Sequence, residues 1–206
     1  MIVISGFDIS TNFVKPWADA GFTCYCVDIQ NPPGETKTGN IVRVGCDIHK
    51  WNPPKKKVAF AAFFPPCTHL AISGARWFKG KGLYPLADSI KNFAVSVKLA
   101  EMFDCPYVIE NPMSTISTYW RKPDHKFDPC DFGGYLDPPG DAYTKETWLW
   151  VGGGFVMPEY RPVFPIEGSK MHKMGPSEDR ANLRSETPMG FAKAVFQYNK
   201  PERVAA

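Results

Sequence analysis

The sequence predicts an open, doubly wound, mostly parallel α/β sheet. Three observations carry that expectation. Short apolar runs alternate with segments of helical periodicity. One run, "VAFAAFF", is apolar without interruption, as a strand covered on both faces requires. Glycine, carboxylate and thiol side chains follow successive runs at their carboxyl ends, where open sheets of this kind bind ligands. With 206 residues and 44% hydrophobic content the chain can bury one full core, so a single domain over 1–206 is expected.

In chain order, "MIVISG" predicts a first strand ending at Gly6, and "TNFVKPWADAG" a helix closed by Gly21. "FTCYCVDI" predicts a second strand with Asp28 at its carboxyl end, and "NPPGETKTG" a turn. "NIVRVGCDI" is strand-like and leads to Asp47, and "KKVAFAAFF" is the central strand. The clearest helix is "YPLADSIKNFAVSVKLAEMF", in which Leu86, Ile90, Phe93, Val97 and Ala100 recur at spacings of three and four. "PYVIENP" and "TKETWLWVGG" predict a fifth and a sixth strand. "SETPMGFAKAVFQYN" predicts a last helix capped by Thr187, with Pro188 in its first turn and Phe191, Ala194, Val195 and Tyr198 on one face. Residues 112–145 and 152–186, rich in proline and glycine, are expected to be irregular inserts.

Composition narrows the function classes. Six cysteines at 24, 26, 46, 67, 105 and 130 lack the spacing of a disulfide framework, and no secretory leader precedes them, which predicts a reduced, cytoplasmic protein. No apolar stretch approaches the roughly 20 residues of a membrane helix. A net charge of +3 and a pI near 8.5 are too mild to establish a nucleic-acid partner. The basic segments "KKK", "RWFKGKG" and "WRKPDHK" read either as solvated loops or as anion contacts.

Gly6, Asp28, Asp47, Cys67 and Glu110 follow successive predicted strands, so one crevice could hold all five. Asp28 lies about 20 residues after Gly6, the separation at which an acid on the second strand accepts hydrogen bonds from a ribose, and its other reading is a turn former. The loop "SGFDIS" has one glycine and is no dinucleotide fingerprint; a cofactor without phosphates fits it better. Asp47 reads as an acceptor for an adenine amino group or as a cap for the segment after it. Cys67 reads as a buried apolar thiol or as a nucleophile that Pro65 and Pro66 present at the strand tip. Glu110 reads as a carboxyl group whose burial favours its neutral, donating form, or as a turn cap with Asn111. His69 reads as a base, a pocket wall or a satisfied side chain. Cys67 and His69 lack the companions that a zinc site needs, so no metal is expected.

"FPPC" at the end of the fourth strand and "ENP" at the end of the fifth resemble the two signature motifs of the cytosine-5 DNA methyltransferases, in a compact form similar to those encoded by bacteriophages and allied to restriction-modification systems. "KPWADAGF", "CVDI", "GCDI", "KETWLW" and "RSETPMGFAKAVF" extend the resemblance over most of the chain. It implies a Rossmann-like methyltransferase fold, S-adenosylmethionine as cofactor and DNA, duplex or single-stranded, as partner. It implies Cys67 as nucleophile, Glu110 as the acid at the ring nitrogen, and Lys145 in place of an arginine at the base carbonyl. Ser5, Gly6, Asp28, Ile29, Asp47, Ile48 and Pro65 would line the cofactor site. Pro66, His69, Ser73, Arg76, Lys79, Asn111 and Pro112 would contact the substrate, with "RWFKGKG" closing over a flipped nucleotide.

The chain departs from that pattern in its single-glycine loop, in Lys145, and in the few dozen residues between Trp150 and the last helix. These leave no recognisable target-recognition domain to read a major groove. A very short target, a protein partner that supplies recognition, or a free or single-stranded deoxycytidine nucleotide would each accommodate this. An exocyclic-amine methyltransferase needs no thiol, so "FPPC" disfavours it. A thymidylate-synthase-like enzyme has histidine directly after the cysteine, where Thr68 intervenes here. A non-catalytic relative that binds DNA or protein is a further alternative: the single-glycine loop is in its favour, and the presence of both Cys67 and Glu110 is against it.

Overall fold

The computed structural model describes residues 1–72, 78–170, 175, 177 and 179–202. They form an eight-stranded mixed sheet: β1 (Ile2–Gly6), β2 (Thr23–Val27), β3 (Gly34–Thr38), β4 (Ile41–Gly45), β5 (Val58–Phe63), β6 (Tyr107–Asn111), β7 (His125–Phe127) and β8 (Thr147–Gly152), in the order β3-β4-β2-β1-β5-β6-β8-β7. The pairs β4/β2, β2/β1, β1/β5 and β5/β6 are parallel, and β8 runs antiparallel between β6 and β7. The predicted α/β class holds, as an open, mostly parallel, Rossmann-like sheet.

The described residues include six helices, α1 (Lys15–Asp19), α2 (Phe78–Lys81), α3 (Leu83–Met102), α4 (Thr115–Tyr119), α5 (Arg180–Ser185) and α6 (Met189–Asn199), with a 3-10 helix over Pro129–Tyr135. Alternate strand residues feed two cores, as the two-residue side-chain period requires. Val3, Cys24, Cys26, Val108 and Leu149 pack with Trp17 of α1 and with Phe191 and Val195 of α6. Ile2, Ile4, Ile109 and Trp150 pack with Phe93, Leu99 and Ala100 of α3 on the other face. Trp150 meets Phe93 edge-on, with ring centroids 5.2 Å apart.

Several expectations are corrected. "NPPGETKTG" is not merely a turn: Gly34–Thr38 pairs antiparallel with β4 as an exposed, wholly polar edge strand. Its lack of apolar alternation hid it, and its polarity suits an edge that must not recruit another chain. The first helix is only five residues long, because Thr11 takes a left-handed φ of 61° and Lys15 follows a turn. In α3 the buried stripe is Ser89, Phe93, Ser96, Leu99 and Ala100, leaving Ile90 37% exposed. Phe93 and Ala100 are buried, and Leu86 and Val97 pack against the core, as expected; Ser89, Ser96 and Leu99 widen the face, and of the five marked by spacing only Ile90 falls outside it. Thr187 does not cap the last helix, where no side-chain cap bond forms; Asp141 instead accepts the Gly190 N–H at 2.7 Å. The supposed irregular inserts hold α4, β7, the 3-10 helix and α5.

Candidate active site

Parallel register brings the tips of the central strands into line: Gly6 is opposite Val27 and Phe63, and Phe63 is opposite Ile109. Asp28, the segment after β5 and Glu110 therefore share one edge of the sheet. Because β8 is reversed, its start lies at that same edge, with Trp148 opposite Asn111, and Lys145 just precedes it.

The segment from Phe64 to Leu70 leaves the core through two prolines whose fixed φ narrows its path. Pro65 is buried, and its carbonyl accepts the Asn111 side-chain N–H at 2.8 Å; Pro66 is exposed. The Cys67 carbonyl then accepts the N–H groups of Leu70 and Ala71, both at 2.9 Å, so a tight turn begins at the cysteine. Farther on, Ala71 bridges to Ser114 and the Ile72 N–H donates to the Met113 carbonyl. The loops after β5 and β6 are thus joined on both sides of Cys67.

Three residues that the sequence singled out for catalysis act on one another here. Burial pushes the Cys67 thiol above its ordinary range, the nearby Glu110 carboxylate pushes it further, and Lys145 and Arg184 oppose both. Burial likewise raises Glu110, and Lys145 opposes it. Cys67 and Glu110 are both half-buried as whole residues. Lys145 is held by its own backbone: its N–H donates to Asp128 at 2.7 Å, and its carbonyl accepts the Thr147 hydroxyl at 2.7 Å. Two polar atoms at this end are buried without a hydrogen-bond partner, Asn111 Oδ1 and His69 Nδ1.

His69 and Lys79 line a cavity of about 410 Å³ with Phe78, Lys81, Leu83 and Leu86 among others. The Lys81 ammonium donates to the Thr68 carbonyl at 3.3 Å, which ties α2 to the turn at the cysteine. Pro112 is half-buried next to Asn111. Ser73 and Arg76 lie outside the described residues.

The other half of the edge is organised by a residue that the sequence reading passed over. Asp8, 4% exposed, accepts hydrogen bonds from the Ser5 hydroxyl at 2.7 Å, the Ser10 hydroxyl at 2.9 Å and the Thr11 N–H at 2.7 Å. The loop that lacks a second glycine is closed by this carboxylate, while Phe7 and Thr11 take left-handed φ values of 58° and 61°. A Cβ on Gly6 would come within 2.6 Å of Phe63 and 2.7 Å of Ile48, so the glycine is needed for the chain's own packing. Ile48 belongs to the apolar core.

Asp28 accepts the Gln30 N–H at 2.8 Å; burial raises its pKa and the nearby Asp8 adds to the rise. Ile29, directly after it, is 73% exposed. Asp47 accepts the His49 N–H at 3.0 Å, the capping geometry that was one of its two readings.

Arg184, on α5, is a cation that sequence reasoning passed over and whose charge opposes the rise of the Cys67 thiol. The signal was the pair of arginines four apart in "RANLR", inside a stretch expected to be irregular. Among the described residues no group of three His, Cys, Asp or Glu side chains is arranged to hold a metal ion.

No protein-family model matches the chain, and no curated protein matches it. Among solved structures it is similar to one from E. coli described as a "putative DNA modification methyltransferase encoded within prophage", with 13% identity over 80% of this chain and a TM-score of 0.48. The chain spans about half the length of that neighbour, 53% of which is covered. A likeness of this size does not bear on chemistry.

Proposed function

We propose that the protein transfers a methyl group from S-adenosylmethionine to carbon-5 of a cytosine in DNA, through a covalent adduct on Cys67. The observation that supports this reading is the mutual placement of Cys67, Glu110 and Lys145 at neighbouring strand tips, each acting electrostatically on the Cys67 thiol or the Glu110 carboxyl group.

The raised Glu110 carboxyl group holds a proton more readily than an exposed one, which suits a donor to ring nitrogen 3. Once neutral, or once its proton is shared with the ring, it ceases to oppose the Cys67 thiolate, while Lys145 and Arg184 still favour the anion. The thiolate adds to carbon-6 as the proton moves from Glu110 to nitrogen 3, and electron density accumulates at carbon-5. After methylation a base removes the carbon-5 proton, the bond between sulfur and carbon-6 breaks, and the proton on nitrogen 3 returns to Glu110. Lys145, whose charge acts on both groups, would hold the base carbonyl and its developing charge. Asn111 is a positioning residue that fixes the Pro65 carbonyl and hence the turn bearing the nucleophile.

The cofactor half fits a methyl donor of this kind. The Asp28 carboxylate can accept from ribose hydroxyls, Ile29 offers an exposed apolar surface beside it, and Asp8 and Asp28 together favour a positively charged ligand over a pyrophosphate. Ser5, Gly6, Asp47, Ile48 and Pro65 complete the proposed surroundings of that site. When bound, the cofactor supplies the methyl group. Pro66, His69, Lys79 and Pro112, with Ser73 and Arg76, are proposed to face the substrate.

One observation favours a second reading of the substrate. Between β8 and α6 the described residues form one short helix and no sheet, little scaffold for reading a major groove, so a free or single-stranded deoxycytidine nucleotide is the alternative. Incubation with tritiated-methyl S-adenosylmethionine and, in parallel, duplex DNA, single-stranded DNA and deoxycytidine monophosphate separates the two. Label on a polymer is expected, and label on the mononucleotide alone would reassign the substrate. Cys67→Ser is expected to abolish transfer while sparing cofactor affinity by calorimetry; undiminished turnover in that variant would remove the covalent step.

A further inference from the structure

The cavity of about 410 Å³ is lined from both of the loops that follow β5 and β6. His69, two residues after Cys67, belongs to its wall, so the two Cα atoms are at most about 7 Å apart. Thr115, at the start of α4, reaches it from the loop after Glu110, and the bridge between Ala71 and Ser114 joins the two loops. Neither Cys67 nor Glu110 is among the described residues that line it, so a ring held by that pair sits beside the cavity and not in it. The volume is in the range of small-molecule sites.

The lining has the chemistry of a nucleotide site. Phe78, Leu83 and Leu86 give apolar walls with one aromatic ring, and Leu83 is left 80% exposed there. Lys79 and Lys81 supply positive charge; no acid stands among the described lining residues, and none occurs in the sequence from Cys67 to Ala87. The first turn of α3 borders the cavity without an acidic residue or a capping side chain, which adds the positive end of a 20-residue helix. His69 Nδ1 is buried and has no hydrogen-bond partner among the described residues. Such an atom is costly to leave unsatisfied, and the polar edge of a base would satisfy it. An inorganic anion would leave the apolar walls in water, and a purely apolar ligand would leave the lysines and His69 unused. A base that stacks and a phosphate that meets the lysines use the whole lining.

Which nucleotide follows from position, and this step rests on the proposed cytosine chemistry, with the target ring at Cys67 and Glu110. A cavity that begins two residues from the nucleophile is about one repeat of an extended strand away from that ring. We infer that it takes the nucleotide next to the target on the same strand, so that the substrate is single-stranded DNA rather than duplex DNA or a free nucleotide. In a duplex this second base would also have to leave its stack and its pair, a cost added to that of the target itself.

Fluorescence anisotropy tests this with labelled single-stranded oligonucleotides that carry one deoxycytidine among thymidines, the base on its 5′ or its 3′ side being replaced by an abasic unit. Loss of the base on one side is expected to weaken wild-type binding about five- to hundredfold, the contribution of one stacked base. Phe78→Ala is expected to bind intact and abasic strands alike. The ratio of the two affinities reads base recognition directly, because a loss of fold would weaken both strands together. Lys79→Ala, at an exposed position, is expected to keep the preference and to flatten the dependence of log affinity on log salt by about 0.7, the value of one phosphate contact on a single strand. A wild type indifferent to both abasic units, no binding of any strand, a preference that survives in Phe78→Ala, an unchanged salt slope in Lys79→Ala, or tighter binding of duplex than of single strand would each overturn the inference. The tritium assay judges the cytosine chemistry separately. A wild type that labels cytosine yet ignores the abasic units sinks only the cavity assignment, and one that senses the flanking base but labels nothing sinks only the methyl transfer.

Discussion

At the tips of β1 and β2 the polar groups are committed to one another, with Asp8 accepting from Ser5, Ser10 and Thr11, and Gly6 closed in by Phe63 and Ile48. At the tips of β5 and β6 they are left over. Asn111 Oδ1 and His69 Nδ1 have no partner, burial raises both the Cys67 thiol and the Glu110 carboxyl group, and the Glu110 carboxylate raises the thiol further. Both tips belong to one parallel sheet with matching register, so fold alone does not explain the contrast. The interactions around Asp8 are complete within the chain and stabilise it; those at the second tip would be completed by the ring proposed to bind there. Stability and reactivity are thus separated along a single edge, and substitutions on the two sides should have effects of different kinds.

The largest expected effect is at Glu110. Glu110→Gln keeps the shape and removes the titrating proton, and methyl transfer should fall by about 10²- to 10⁴-fold, the usual contribution of a positioned acid. The same change should stabilise the fold near neutral pH. Burial raises the folded-state pKa of Glu110 above its ordinary 4.5, so its contribution to stability is fully present below 4.5 and is lost as pH rises through the folded value. Glutamine never ionises and keeps that contribution. Thermal melts should therefore coincide in acid and diverge in favour of the variant as pH rises, and wild-type turnover should decline over the same interval. A variant that melts lower than wild type at every pH would mean that the Glu110 carboxylate is a stabilising group after all, and the contrast between the two tips would fail.

On the other tip, Asp8→Ala should act through stability. The change leaves the buried Ser5 hydroxyl and Thr11 N–H without their acceptor, at about 1–3 kcal/mol for each unsatisfied group. At about 2–4 °C per kcal/mol for a chain of this size, calorimetry should record a clear drop in Tm. An unchanged Tm would show that the network is incidental to the loop.

The difference between the halves also explains what could be read in advance. Cys67 and Glu110 were legible because proline-fixed geometry and an acid after an apolar strand are local signals, and the reversed β8 carried Lys145 to them without any cue beyond "KETWLW". Asp8 was not legible. A carboxylate that closes a loop by accepting three hydrogen bonds leaves no periodic trace. The central strands and the two long helices were readable from apolar runs. The all-polar β3, the three-residue β7 and the short helices α4 and α5 were not, because elements this brief show neither two-residue nor 3.6-residue periodicity. Arg184 was hidden for the same reason: six residues of helix inside a loop-like composition leave no periodic trace.

The smallest expected effect is at Asp47, and it sharpens the account of the cofactor half. One carboxylate oxygen accepts the His49 N–H at 3.0 Å, and the other makes no hydrogen bond among the described residues. The cap lies at the surface, so Asp47→Ala should cost about 1 kcal/mol or less and lower Tm by a few degrees at most. If the second oxygen accepts from the adenine amino group, the same variant should bind S-adenosylmethionine about two- to tenfold more weakly by calorimetry, the range of a single net hydrogen bond. Affinity that stays unchanged beside a small loss of Tm would leave the cap as the whole role of Asp47. The cofactor contacts would then fall to Asp28 and Ile29 alone, narrowing the ligand-ready part of the first tip to the end of β2.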